Sequence, residues 1–114
     1  MSRVKGILAQ LVEKANAIPR IKEMISDWTC TIQFDVEGDA PLYLCFENGA
    51  VSLHDGVHQS PKVVLKARED ALYKILSGEL SLTKAYFTRQ LQISGPLSDA
   101  VKFGQIGEAV REGL

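Results

Sequence analysis

GELSLTKAYFTRQLQISG, residues 78–95, holds two glycine stops, a serine suited to capping a helix, an aromatic pair and a short alternating strand. Gly78 fits the left-handed position that closes a helix, and Ser81 can accept from the free backbone N–H groups that open the next one. Leu82, Ala85, Tyr86 and Phe87, followed by Leu91 and Ile93, form an apolar device that must find a partner elsewhere in the chain. None of these residues makes a catalytic signature.

Upstream, Val63, Leu65 and Ala67 alternate with Lys62, Val64 and Lys66, which predicts a strand after Ser60-Pro61. Arg68, Glu69 and Asp70 then open a helix whose stripe is Leu72, Ile75 and Leu76 and whose stop is Gly78. Further back, Ile32, Phe34 and Val36 alternate with Thr31, Gln33 and Asp35, so this strand has one wet face. Gly38-Asp39 turns the chain, and Leu42, Leu44 and Phe46 alternate with Tyr43 and Cys45. Asn48-Gly49 is a strong hairpin signal because both central positions of a type I′ turn need positive φ. That turn opposes Glu47 to Ala50, Phe46 to Val51 and Leu44 to Leu53, which puts the apolar faces on one side.

The ends of the chain are helical in pattern. Val4, Ile7, Leu8, Leu11, Val12 and Ala15 share one helical face. Pro19 predicts a break at Ile18, with a short helix from Arg20 to about Asp27. Downstream, Gly95-Pro96 starts a last helix with a wide apolar arc of Leu97, Ala100, Val101, Phe103, Ile106 and Val110. Gly104 and Gly107 each weaken a helical turn by about 1 kcal/mol relative to alanine, so this helix is expected to be the loosest element. The sum is an α+β fold: a helix, a three-stranded antiparallel meander, a crossover, a strand, helices, a fifth strand and a C-terminal helix. The 114 residues predict a single domain over 1–114, with helices on one face of a five-stranded sheet.

Charge excludes some functions. Thirteen basic residues against 14 acidic ones leave a net charge of −1, which offers no field for a phosphate backbone, so nucleic acid is not an expected partner. Arg3, Lys5, Lys14, Arg20 and Lys22 make the first segment locally cationic. Its cations either rest on acidic neighbours or make transient contact with an anionic membrane surface. No apolar run approaches the roughly 20 residues of a membrane span, and no signal-peptide core precedes the first helix. Together with two cysteines on opposite strand faces, Cys30 inward and Cys45 outward, this points to a reducing, cytoplasmic setting.

Polar chemistry is sparse. His54 and His58 have the i, i+4 spacing of a metal pair, but Asp55-Gly56 between them predicts a turn rather than the helix that would align the rings. There is no Gly-x-Ser-x-Gly elbow and no glycine-rich phosphate loop, and Asp35, Glu37 and Asp39 read as a solvated hairpin end. The expectation is a protein that is not an enzyme, with no metal and no cofactor.

The run from Asp27, DWTCTIQFDVEGDAPLYLCFENGAVSLHDG, resembles the opening strands of the sterol carrier protein 2 family. The later run, VVLKAREDALYKILSGELSLTKAYFTRQLQISG, is similar to that family's strand, helix, Ser-Gly-Glu-Leu motif, aromatic pair and glycine-ended strand. The chain departs from the family at Arg89, Gln90, Gln92 and Pro96, and Arg111–Leu114 do not form a Ser-Lys-Leu ending, which makes it look like a small stand-alone prokaryotic member. The resemblance implies an apolar cavity between sheet and helices for a fatty acyl chain, acyl-CoA, isoprenoid or sterol-like ligand. The expected lining is Phe34, Leu44, Phe46, Leu72, Ile75, Leu76, Phe87, Ile93, Val101, Phe103 and Ile106, with the last helix as a mobile lid. Two other readings stay open: an accessory module presenting a lipid-like intermediate, such as a quinone precursor, to partner enzymes, and a dimerisation domain with a filled core. The sequence leaves oligomeric state open.

Overall fold

The computed structural model describes residues 3–113, so Met1, Ser2 and Leu114 of the expected 1–114 domain lie outside the described residues. Five strands, β1 (Cys30–Glu37), β2 (Leu42–Glu47), β3 (Ala50–Asp55), β4 (Val63–Arg68) and β5 (Leu91–Ser94), form one sheet in the order β3-β2-β1-β4-β5. The first three make the antiparallel meander, β4 crosses over to lie parallel to β1, and β5 returns antiparallel to β4. Asn48 and Gly49 take positive φ of 53° and 73°, and the turn they make sets Phe46 opposite Val51 and Leu44 opposite Leu53.

The helices are α1 (Arg3–Ala17), α2 (Pro19–Met24), α3 (Glu69–Ser77), α4 (Leu82–Phe87) and α5 (Leu97–Arg111). They cover the sheet face that carries Ile32, Phe34, Leu44, Phe46, Val63 and Leu65, all buried. Pro19 sits inside the first turn of α2 rather than before it, because its missing N–H costs nothing there. Gly78 closes α3 at φ 90°, and the Ser81 hydroxyl accepts from the Lys84 N–H at 3.0 Å to open α4. The stop at Gly78 and the cap at Ser81 therefore act as their residue types dictate.

Side-chain amides fix two places where periodicity misleads. Gln33 lies on the open face of the sheet yet is only 5% exposed. Its Nε2 donates to the carbonyls of Leu42 and Gly56, both at 3.1 Å, while its Oε1 accepts from the His58 N–H at 2.7 Å. The turn after β3 is thus folded over a fully partnered amide, as burial of a polar group demands. Asn16 of α1 acts as a short length of strand: its amide donates to the Val51 carbonyl at 2.7 Å and accepts from the Val51 N–H at 3.0 Å. This ties α1 to the β3 edge and covers hydrogen-bonding groups that a bare edge would expose.

Two of the N-terminal cations rest on acids. Arg3 pairs with Glu69 at 2.8 Å and Lys5 with Asp55 at 3.0 Å, joining α1 to α3 and to β3. Cys30 and Cys45 are free and face opposite sides of the sheet, Cys30 buried and Cys45 half-buried. His54 and His58 both pack on Tyr43, with ring centroids at 5.0 and 5.1 Å. Among the described residues no group of three or more His, Cys, Asp or Glu is placed to hold a metal ion, and no helix is long and apolar enough to cross a membrane.

Candidate functional site

Between α1, the β2–β3 end of the sheet, α3 and α5 lies a cavity of about 540 Å³. Such a volume falls within the range of ligand pockets. The helical period of α1 brings Leu8, Leu11, Val12 and Ala15 to one wall. Strand alternation brings Leu44, Phe46 and Val51 to the floor, and the α3 stripe adds Ile75 and Leu76. Leu80 and Leu82 continue the wall past Gly78, and α5 closes the opposite side with Val101, Phe103, Ile106 and Val110. Polar residues also border the cavity: Ser81 and Thr83 at the start of α4, and Gln105, Glu108, Arg111 and Glu112 along the second half of α5.

An aromatic cluster underlies the floor. Trp28 packs on Phe46 at 4.6 Å, and Phe103 meets Phe46 edge-on at 6.3 Å and Phe34 at 5.8 Å. The Trp28 indole N–H donates to Asp99 Oδ1 at 2.9 Å, and Lys62 approaches the same carboxylate at 3.1 Å. The Trp28 hydrogen bond, aided by Lys62, holds the Asp99 carboxyl below its ordinary range against the opposing effect of burial. Burial, with Asp99 adding to it, pushes the Cys30 thiol up to about 11. Neither group lines the cavity; both belong to the scaffold that seats the start of α5.

Of the residues expected from sequence to form the lining, Leu44, Phe46, Ile75, Leu76, Val101, Phe103 and Ile106 border the cavity and four do not. Phe34 is fully buried on β1, one strand away from the floor, where Phe103 packs against it. Ile93 lies on β5, opposite Leu65 at the far edge of the sheet from β3. Leu72 is buried one turn before Ile75 and Leu76, so it fills the core beneath α3 instead of facing the void. Phe87 is 75% exposed: α4 has six residues and buries Leu82 and Ala85, which leaves the Phe87 ring outside with its edge toward Tyr86 at 5.6 Å. The α1 wall is not among the residues expected to line the cavity, although its long apolar stripe is legible in the sequence. The polar rim carried no sequence signal, since its members come from the α3–α4 link and the far end of α5.

The model of the SCP-2 sterol transfer family matches residues 8–108. Among solved structures, one titled UbiJ-SCP2 Ubiquinone synthesis protein superposes with a TM-score of 0.79 at 18% identity, covering 94% of each chain. The sterol carrier protein domain 2 of Helicoverpa armigera gives 0.77 at 17% identity over 95% of this chain and 87% of that one. Palmitated SCP2L2 from Aedes aegypti gives 0.72 at 17% identity over 94% of this chain and 95% of that one. At such identities these likenesses show a shared fold. No sequence among functionally curated proteins matches significantly.

Proposed function

This chain belongs to the SCP-2 sterol transfer family, and from that premise we propose that it is a non-catalytic lipid carrier. Its ligand would be a fatty acyl, acyl-CoA, isoprenoid or sterol-like molecule. The observation that carries this reading is the 540 Å³ cavity walled by apolar side chains from α1, β2, β3, α3 and α5. Each methylene moved from water to that wall contributes about 0.8 kcal/mol, so a long chain binds without a specific polar contact. The seven lining residues anticipated from sequence, together with Leu8, Leu11 and Val12, are the proposed contacts. Entry would use movement of the C-terminal end of α5, the part of the lid that borders the rim.

The test is native mass spectrometry of freshly purified protein, with displacement of a fluorescent fatty acid in parallel. A co-purified lipid and saturable displacement are expected; absence of both would sink the proposal. Replacing Ile106 by Trp fills the cavity from α5 and should lower probe affinity about tenfold while the far-UV spectrum stays unchanged. Contact of α1 with anionic lipid would show as liposome binding that rises with anionic content and falls with salt.

A second reading draws on the likeness to a ubiquinone synthesis protein at a TM-score of 0.79. Here the same cavity holds a quinone precursor and presents it to partner enzymes. A stable complex with biosynthetic enzymes in pull-downs from native cells would favour presentation over simple transfer.

A further inference from the structure

The mouth of the cavity breaks two local rules of helix building. Glu108 and Glu112 stand four residues apart at the C-terminal end of α5. Like charges at that spacing repel, and the helix dipole already presents its negative end there. Gly107 leaves the same turn without a side chain, which weakens it. Breaches of local preference that cluster on a cavity rim mark a place shaped by function more than by folding.

Arg111 lies across a notch made by two glycines. A Cβ on Gly78 would stand 2.6 Å from its Nε, and one on Gly107 would stand 3.2 Å from its Nη1. Nη1 donates to the Leu76 carbonyl at 3.2 Å, so part of the guanidinium's donor capacity is spent inside the protein. The ion pairs among the described residues use other cations. Arg111 is the one cation among the residues bordering the cavity, and Glu108 and Glu112 border it too. Among the described residues that border the cavity, one positive charge therefore stands against two carboxylates.

We propose that the cavity takes an amphiphile whose head is uncharged and hydrogen-bonding, an alcohol, phenol or amide, in preference to a free carboxylate or a phosphate ester. The remaining N–H groups of Arg111 donate to the oxygen of such a head, and Glu108 and Glu112 accept from its O–H or N–H. An anionic head gains the guanidinium but meets two carboxylates and the negative end of α5. A coenzyme A ester, with several phosphate charges, meets the same opposition in greater measure. This proposal rests on the lipid-carrier reading and narrows its ligand class.

The experiment is displacement of a fluorescent, uncharged long-chain probe by three competitors of one chain length: hexadecanol, palmitate and palmitoyl-CoA. Hexadecanol is expected to displace at about tenfold lower concentration than ionised palmitate at low salt, the gap shrinking as salt screens the rim. In the double variant Glu108→Gln, Glu112→Gln, whose positions are exposed, the ratio of palmitate to hexadecanol affinity should rise severalfold. Arg111→Gln should weaken both. Palmitate or its coenzyme A ester binding as tightly as hexadecanol, or a ratio unmoved in the double variant, overturns the proposal and leaves the carrier reading standing. If the probe fails to bind at all, both fall together.

Discussion

The two ends of α5 are built on different principles. At its start, Trp28 and Lys62 hold Asp99 from two sides, and Gly95 lets the chain pass against the backbone of Lys62 and Val63. At its end, Gly104, Gly107 and Val110 face the cavity, and the side-chain tether is the hydrogen bond from Arg111 to Leu76 at 3.2 Å. One end is held by charge-assisted bonds and a close backbone approach; the other is held by apolar contact beside a void. The lesson is that a helix with two interior glycines need not be loose throughout. Both interior glycines lie beyond Ala100, away from the bonds that Asp99 makes at the start of the helix.

The largest break in this contrast is expected from Gly95→Ala. Gly95 has φ 101°, and an added Cβ would fall against the Lys62 carbonyl. Stability should drop by roughly 2–4 kcal/mol, read as a fall in Tm of about ten degrees or more. A Tm within two or so degrees of the parent would mean that the start of α5 is not locked.

Next in size is Asp99→Asn, which keeps an acceptor for Trp28 but removes the charge. A loss of about 1–2 kcal/mol is expected near neutral pH. Because the folded-state pKa of Asp99 lies below its unfolded value, its contribution is present above the unfolded pKa and is lost as pH falls through the folded one. Urea unfolding at a series of pH values should therefore show the parent and the variant converging in acid. A difference that stays constant with pH would place the effect elsewhere.

The opposite end should respond with the opposite sign. A Cβ on Gly107 meets Arg111 Nη1 at 3.2 Å, the far end of a flexible side chain that can yield. Gly107→Ala should stabilise the protein by up to about 1 kcal/mol through helix propensity, measured by the urea midpoint. It would also displace Arg111 and alter probe affinity. Destabilisation instead would show that the glycine notch is part of the packed structure.

The smallest effect is a report on the locked end from within. With its thiol pushed up to about 11, Cys30 has a thiolate fraction on the order of a thousandth at pH 8. A thiol reagent is expected to label half-buried Cys45 first and to reach Cys30 at the rate of opening. Gly95→Ala should speed the second step and leave the first nearly alone, as followed by mass spectrometry of the labelled chain. Equal rates for both thiols in the parent would contradict the burial of Cys30.

Much of this fold is carried by short-range rules. The type I′ turn at Asn48-Gly49 determined the pairing of β2 with β3, since positive φ at both positions leaves a single register. Gly78 and Ser81 placed the α3–α4 link, and alternation assigned the inner face of each strand. The same alternation put Gln33 on a wet face, which the fold then covered with the turn at Gly56–His58. Phe87 shows the limit from the other side: an aromatic beside Tyr86 in an apolar run reads as inward, yet α4 is too short to bury more than Leu82 and Ala85.

Sequence alone determined the α+β order of elements, the register of β2 on β3, the helix stop at Gly78 and the family, because turn chemistry and periodicity act over a few residues. The tertiary structure decided where the void lies along the width of the sheet. Leu44 and Phe34 both face inward on neighbouring strands, yet Leu44 borders the cavity while Phe34 is core, packed against Phe103 of α5. The tertiary structure also brought Ser81, Gln105 and Arg111 to the border of the same cavity from separate parts of the chain. Whether an apolar side chain meets another or meets empty space depends on helices distant in sequence, and no local pattern encodes that distance.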